Sequence, residues 1–218
     1  MPDSEDLIYG LCQQHQIDIG PEACRNLEKY TELLWDWNQR INLTRHVDPE
    51  TFVVKDLVDT VELSRQIQEG ESVLDIGSGG GVPGLSLAII RPDLQVTLCD
   101  SVAKKVSVLN DMIEKLDLSV QVINDRAEDV LEVERYDVCT ARAVGPLRKM
   151  CIWFENCWFE MGRLLALKGP NWETELAEAK SEGRLKKVRF RCVHEYTRPG
   201  AEIQNYVIKM WAKGAPER

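Results

Sequence analysis

The 218-residue sequence predicts an α/β fold in which a doubly wound, mostly parallel seven-stranded sheet follows an N-terminal helical extension. Three observations support this prediction. Short apolar segments alternate with helical patterns after residue 70, as strands and crossover helices do in a parallel sheet. A glycine-rich turn joins the first of these strands to a helix, whereas the residues before it show helical spacing. We therefore place the helical extension at residues 1–69 and the α/β domain at residues 70–218.

The extension is predicted to be helical over residues 3–39, followed by a second helix. Apolar side chains recur at helical spacing at Leu27, Tyr30, Leu33, Leu34 and Trp37. Pro21 suits a first helical turn. After a break at residues 42–44, Asp48 suits an N-cap and Pro49 the first position of the next helix.

The α/β domain is predicted from seven strand patterns and the helices between them. Five strands are expected near residues 72–76, 94–99, 119–124, 136–141 and 163–168. Helices are expected near residues 82–90, 102–116, 145–160 and 171–182. Two last strands, near 187–194 and 202–211, are joined through Pro199 and Gly200, which suit a turn. We expect this final pair to form an antiparallel edge of the sheet.

Composition limits the compartment and the type of site. The seven cysteines are scattered, with no C-x-x-C pair, and only three histidines are present. This usage predicts reduced thiols in a cytoplasmic protein and no metal site. No segment is apolar over the length that a membrane span needs, and the N-terminus does not resemble a signal peptide. No feature requires more than a monomer.

The charge is distributed unevenly. The net charge is −9, yet residues 181–218 carry nine basic and four acidic side chains. A local basic face can dock a phosphate backbone on an acidic chain, but a solvated edge hairpin explains the same charges equally well. Composition alone therefore does not predict a nucleic-acid partner.

The segment VLDIGSGGGVPG at residues 73–84 predicts a nucleotide-type cofactor site at the end of the first strand. Glycines at 77, 79 and 81 would let backbone N–H groups approach a ligand that a side chain would block. One interpretation is a dinucleotide site, because residues 79–84 match G-x-G-x-x-G and Asp100 lies about twenty residues further on. A lone match of this kind is weak evidence.

The alternative interpretation is a site for S-adenosylmethionine. Pro83 lacks the N–H that a pyrophosphate would need at the first helical turn. Asp75 places negative charge before the glycines, where it suits the ammonium of an amino acid better than a phosphate. Asp100 could accept hydrogen bonds from a ribose diol. We therefore favour the methyl donor.

Residues that follow the other strands complete the candidate site, because ligands of open α/β sheets lie over the carboxyl ends of the strands. Ala127 and Glu128 are expected at the adenine, in a short turn after the third strand. Arg142 and Lys168 supply two cations at the mouth of the site. A lone arginine between apolar residues requires a partner, which makes Arg142 the candidate closest to the chemistry.

The acceptor is less well defined by the residues. The fourth strand ends in ARAVGPL, and no N/D-P-P-Y/F/W motif of the amine methylases is present. Cys139 would suit a nucleophile, but its position before the end of the strand favours a buried structural thiol. Guanine N7 carries a free lone pair, so its methylation needs alignment and exclusion of water but no general base. A small-molecule or protein methyltransferase remains an alternative.

Eight segments, in this order along the chain, resemble the RsmG family, also called GidB. They are NLT at 42–44, DP at 48–49, K-x-L-V-D-T at 55–60, DIGSGGGVPGLSLAIIRPD at 75–93 with LCDS at 98–101, DRAED at 125–129, ARA at 141–143 and ALKG at 166–169. The resemblance implies a Rossmann-like class I fold and S-adenosylmethionine-dependent methylation of N7 of guanine 527, in the 530 loop of 16S rRNA. The implied partner is 16S rRNA or a small ribosomal subunit precursor.

The resemblance also implies roles for individual residues. Gly77 and Val82 would line the donor site, to which the glycine pattern itself adds Gly79, and Ala127 and Glu128 would flank the adenine. Arg142 would lie beside both donor and target, as the catalytic residue.

One departure from the family pattern is visible. Asp56 follows Lys55, where the family usually has a histidine, so the RNA contact of this segment is expected to differ. Arg45, Lys55 and Lys168 are the candidates for phosphate contacts.

Overall fold

A computed structural model describes residues 7–216, and its centre is a single seven-stranded sheet. The strands are β1 Ser72–Ile76, β2 Gln95–Cys99, β3 Gln121–Ile123, β4 Tyr136–Arg142, β5 Met161–Lys168, β6 Val188–Thr197 and β7 Gln204–Ala212. Their order across the sheet is β3-β2-β1-β4-β5-β7-β6. The five strands β1 to β5 are parallel, and β7 runs antiparallel to both β5 and β6. The predicted fold class, with its antiparallel edge, is confirmed.

Nine α-helices are present among the described residues. They are α1 Leu7–Gln14, α2 Pro21–Asn38, α3 Pro49–Thr51, α4 Val58–Ser64, α5 Gly84–Ile90, α6 Ala103–Lys115, α7 Ala127–Val133, α8 Leu147–Trp153 and α9 Trp172–Ser181. A π-helical segment, Phe52–Leu57, connects α3 to α4. A 3₁₀ turn, Arg184–Lys186, precedes β6. None of the helices in the described part of the chain is both long and apolar enough to cross a bilayer.

The helices cover both faces of the sheet because side chains alternate between faces along each strand. Val73 of β1 joins a core shared with α1, α2, α5 and α6, whereas the next residue, Leu74, joins a second core with α7 and α8. The helical extension therefore packs directly on one face of the sheet. All seven cysteines lie in the described residues and are free thiols.

The helices predicted over residues 3–39 are α1 and α2, separated by residues 15–20, and residues 3–6 of that prediction lie outside the described residues. Two other helices differ from the sequence-based expectation. The helix predicted over 145–160 ends at Trp153, and turns then bury both Phe154 and Trp158, whose rings meet edge to face at 6.1 Å. The segment after β3 is a helix, α7, rather than a short turn.

The order of the strands determines where a ligand can bind. The chain moves outwards from β1 through β2 to β3 and then returns to place β4 on the other side of β1. The loops after β1 and β4 therefore diverge and leave a crevice at the carboxyl edge of the sheet. β6 ends at this same edge, because it is antiparallel to β7, which is itself antiparallel to β5.

Candidate active site

The glycine loop after β1 depends on a left-handed backbone. Gly77, Gly79 and Gly81 have φ angles of +66°, +58° and +105°, a region that side chains with a Cβ rarely adopt. A Cβ on Gly81 would lie 2.9 Å from the Leu85 Cβ. Tyr30 of α2 donates a hydrogen bond of 2.8 Å to the Gly80 carbonyl, so the helical extension holds the loop from outside.

Asp75 lies beneath this loop rather than in an open cavity. It is fully buried, one carboxylate oxygen accepts from the Thr140 hydroxyl at 2.8 Å, and the other accepts from the Gly84 N–H at 3.1 Å. Burial raises the pKa of Asp75 to about 6 despite these hydrogen bonds. These contacts of Asp75 hold β1 to β4 and to the start of α5, and its contact with a ligand ammonium stays a prediction.

The raised pKa of Asp75 predicts a pH-dependent stability. The folded protein binds this proton more tightly than the unfolded chain, whose pKa is near 3.8, so the contribution is complete below pH 4 and is lost as the pH rises through 6. We expect the unfolding free energy of the wild type, relative to Asp75→Asn, to fall by about 3 kcal/mol across this interval. Urea unfolding of both proteins between pH 4 and 7 measures the difference, and a constant difference would contradict the assignment.

The beginning of α5 is unsuited to a pyrophosphate. The Gly84 N–H donates to Asp75, and the N–H groups of Leu85 and Ser86 both donate to the Gly81 carbonyl. Pro83, which precedes the helix, has no N–H to offer. The backbone donors that a dinucleotide site supplies at this position are already used, which disfavours the oxidoreductase interpretation.

A cavity of about 210 Å³ lies over the ends of β1, β2 and β3. Gly77 forms part of its floor, and a Cβ there would lie 3.1 Å from the Val144 side chain. Asp100 lines the same cavity, and Ala127 and Glu128 line its far side. Sequence reasoning missed the apolar wall, which consists of Ile76, Cys99, Val144, Trp153 and Phe154.

Asp100 retains capacity for a ligand although it is largely buried. One carboxylate oxygen accepts from the Gly79 N–H and the other from the Val102 N–H, each at 2.9 Å. Each carboxylate oxygen has two lone pairs, so both can accept once more from a ribose diol. Gly79 thus acts through Asp100, and the half-buried Val82 is not among the residues that line the cavity.

Cys139 is fully buried in the middle of β4, and burial raises the pKa of its thiol. It is a packing residue of the second core and not a nucleophile.

The side chain of Arg142, at the end of β4, contacts two buried carboxylates. Its NH1 group donates to Asp56 at 2.6 Å and to Asp59 at 3.4 Å. These two acids lie three residues apart on the π-helical segment and the first turn of α4, and each is at most 2 % exposed. Burial would lower the pKa of Arg142, but the two carboxylates raise it above its ordinary value. The partner that sequence reasoning required for Arg142 is this acidic pair. The next residue, Ala143, has a φ of +56° and turns the chain sharply after Arg142.

Three further side chains join this cluster, and sequence reasoning missed all of them. His46 places Nδ1 at 2.9 Å from both oxygens of Asp56. Tyr196 and Arg198, from the end of β6, both donate to Asp59. The only signal available was Asp59 within the K-x-L-V-D-T segment, since its partners lie more than 80 residues away in sequence.

His46 contacts Asp56, the residue at which this chain departs from the family pattern. The family pattern has a histidine at that position, whereas this chain brings an imidazole to the same carboxylate from the loop before α3. An imidazole is therefore present beside residue 56, although it belongs to another segment of the chain.

The candidates for RNA contact differ in their surroundings. Arg45 and Lys55 are exposed on the helical extension. Lys168 is only 9 % exposed at its side chain, and it donates to Glu175 at 2.7 Å and to the Gly145 carbonyl at 2.6 Å. The predicted phosphate contact of Lys168 would have to displace this ion pair.

Two further cavities adjoin Arg142. One, of about 620 Å³, is lined by residues of the 42–46 loop with Arg142. The other, of about 500 Å³, lies between Arg142, Arg198 and Lys168. Arg142 and His46 line both of them. Val144, two residues after Arg142, lines the donor cavity, so one short segment after β4 contributes to all three cavities.

This fold and this site define a class of protein, the Rossmann-like methyltransferases that use S-adenosylmethionine. A methyltransferase from Pyrococcus furiosus superposes with a TM-score of 0.57 at 13 % identity, over 85 % of this chain and 98 % of that one. A precorrin-6y C5,15-methyltransferase from Geobacter metallireducens superposes with a TM-score of 0.52 at 16 % identity, over 79 % and 92 %.

Within this class, the chain belongs to the GidB family, described as rRNA small subunit methyltransferase G, whose profile matches residues 23–204. The ribosomal RNA small subunit methyltransferase G of Rhodopirellula baltica is 44 % identical over 184 residues, 84 % of this chain and 80 % of the relative. That of Clostridium perfringens is 34 % identical over 97 % of this chain and 92 % of the relative. The resemblance noted in the sequence is confirmed, and the protein is an S-adenosylmethionine-dependent methyltransferase.

Proposed function

We propose that this protein methylates N7 of a single guanine in small-subunit rRNA, the guanine that the family resemblance places in the 530 loop. The observation that carries the proposal is the position of Arg142, which is fixed by two buried acids and lines two cavities, while Val144, two residues further on, lines the donor cavity. A base could enter a cavity beside Arg142 while the apolar wall keeps water from the donor.

The donor cavity fits S-adenosylmethionine in its chemistry. A Cβ at Gly77 would project towards Val144, so close approach of a ligand requires glycine here. Asp100 suits the ribose diol, while Ala127 and Glu128 suit the adenine edge and Trp153 its face. When bound, S-adenosylmethionine supplies a methyl group activated by a sulfonium centre.

The residues around the acceptor then have a positioning task. Guanine N7 has a free lone pair, so the protein needs to align the base and exclude water but does not need to remove a proton. Arg142 is held rigidly enough for that task, because its donors are anchored on buried carboxylates. The exposure of Arg45 and Lys55 supports an RNA-facing role for the helical extension, in an enzyme that acts as a monomer. A ribosomal target and free thiols imply a cytoplasmic enzyme.

One observation favours a second candidate acceptor. His46 and Asp56 form an imidazole–carboxylate pair beside Arg142, and such a pair can accept a proton from a ribose hydroxyl or an amine. This alternative predicts methylation of a ribose or of an exocyclic amine instead of N7. It also predicts that His46→Gln abolishes transfer, whereas methylation of N7 requires no such base.

The test incubates the protein with labelled methyl donor and undermethylated small subunits, free 16S rRNA or large subunits. Borohydride reduction and aniline treatment then cleave RNA at 7-methylguanosine. We expect label in 16S rRNA, a single cleavage site, and no label in the large subunit. Label without cleavage would favour the alternative acceptor, and label in ribosomal protein or small molecules would refute the proposal.

A further inference from the structure

The open cavity of about 500 Å³ contains cations from distant parts of the chain. Arg142 ends β4, Lys168 ends β5 and Arg198 follows β6, and all three line the cavity together with Asn205. All three strands end at the carboxyl edge of the sheet, so these side chains lie on the side from which an acceptor must approach. Arg198 does not line the donor cavity.

Asp59 accepts hydrogen bonds from both arginines. Arg198 binds it through Nε at 2.9 Å and NH2 at 2.8 Å, in a two-bond contact with both carboxylate oxygens. Arg142 contacts the same oxygen as Arg198 NH2, at 3.4 Å. Tyr196 donates to the other oxygen at 2.8 Å. The two guanidinium groups therefore lie beside each other, within reach of one phosphate group.

Each guanidinium is held by one edge only. Arg198 uses Nε and NH2, and Arg142 uses NH1, so Arg198 NH1 and Arg142 NH2 have no hydrogen-bond partner within residues 7–216. The guanidinium is a planar fork with five N–H donors, so an edge held by a carboxylate leaves donors free on another edge. The Arg198 side chain is 30 % exposed and that of Arg142 is 22 % exposed, so these donors are open to a ligand.

The buried acids make this arrangement possible in the free protein. Two arginines side by side would repel each other without a counter-ion, and Asp59 supplies one while it is itself only 2 % exposed. Burial would lower the pKa of Arg198, but the Asp59 carboxylate raises it above its ordinary value, so the guanidinium remains charged. A phosphate, with its several acceptor oxygens, matches the remaining donors as charge-assisted hydrogen bonds.

We propose that Arg198, together with Arg142, binds a backbone phosphate of the RNA strand that carries the target nucleotide. The inference rests on the proposed function, because an RNA acceptor is what brings a phosphate to this cavity. Arg198 is then a residue that recognises the acceptor strand, and Asp59 is the positioning residue that aims it.

The test compares Arg198→Gln with Arg198→Lys and a matched control, Arg135→Gln. Arg135 precedes β4 at the opposite edge of the sheet, where its 79 % exposed side chain pairs with Glu160. Each variant is measured for binding to 16S rRNA over a series of salt concentrations and for binding to S-adenosylhomocysteine. Methyl transfer gives KM and kcat, and guanosine monophosphate serves as a separate ligand.

We expect Arg198→Gln to weaken RNA binding about tenfold and to lower the slope of log affinity against log salt by about one, as loss of one phosphate contact does. KM for the RNA should rise while kcat and S-adenosylhomocysteine binding stay near wild type. Arg198→Lys should recover part of the affinity, because charge is retained without the fork. Arg135→Gln should match the wild type throughout.

Three results would overturn the inference. The first is an unchanged salt slope in Arg198→Gln. The second is an equal loss of RNA affinity in Arg198→Lys together with weaker S-adenosylhomocysteine binding, which is the pattern of a purely structural residue. The third is a loss of affinity confined to guanosine monophosphate, which would identify a small nucleotide as the phosphate source. If the wild type transfers no methyl group to rRNA, the proposed function fails, whereas the binding measurements still decide the role of Arg198.

Discussion

Gly77→Val is expected to abolish binding of S-adenosylmethionine while the protein remains folded. The backbone at Gly77 has a φ of +66°, and a Cβ would lie 3.1 Å from Val144 across the donor cavity. The branched side chain would fill the space that the ligand needs and would cost about 1–2 kcal/mol in backbone strain. We expect affinity to fall by at least about a hundredfold, close to 3 kcal/mol, measured by calorimetry with S-adenosylhomocysteine.

Gly70→Val provides the matched control for this substitution. Gly70 has a similar φ of +76°, but a Cβ there meets nothing within 4 Å, and the residue lies before β1, away from the cavity. It should lose similar stability in thermal unfolding and no affinity for the ligand. Wild-type affinity in Gly77→Val, or an equal loss in both variants, would remove Gly77 from the donor site.

Arg142→Ala is expected to reduce methyl transfer to rRNA by at least about a hundredfold, because a small displacement of the acceptor is enough for such a loss. The donor cavity is lined by other residues, so binding of S-adenosylhomocysteine should persist. Removal of the guanidinium also leaves Asp56 buried with His46 as its remaining partner, at a cost of about 3–5 kcal/mol. Single-turnover transfer to small subunits measures the first effect and urea unfolding the second.

Arg142→Lys separates these two effects. A lysine restores a positive charge near Asp56 and Asp59 and should recover stability, but it lacks the planar fork and should recover little transfer. Full activity in either variant would exclude Arg142 from the chemistry. Equal recovery of stability and transfer by lysine would reduce its role to that of a counter-ion.

The sheet and the donor edge could be predicted because their signals are local. Alternating strand and helix patterns determine the parallel sheet, and the glycine loop marks its first crossover. The residues that follow each strand then converge, and for this reason Gly77, Asp100, Ala127 and Glu128 all reach one cavity. Asp75 shows the limit of such reasoning, since a carboxylate at the right place in sequence faces inwards to Thr140 and Gly84.

The acidic cluster could not be predicted, because its contacts join segments that are remote in sequence. Arg142 and Asp56 are 86 residues apart, and Arg198 and Asp59 are 139 apart. No periodicity or spacing relates such residues, and a π-helical segment that buries an acid, Asp56, has no compositional marker. Lys168 illustrates the same difficulty, since only the packing of α9 reveals its partner Glu175.

The contact of Asp59 with Arg198 also concerns the order in which the protein is made. Synthesis proceeds from the N-terminus, and a contact over 139 residues forms only after both of its ends have left the ribosome. β7 must also be present, because it is the strand that joins β6 to the rest of the sheet. A nascent chain can therefore build its donor pocket well before its acceptor side, which is complete only after β6 and β7 have emerged and paired.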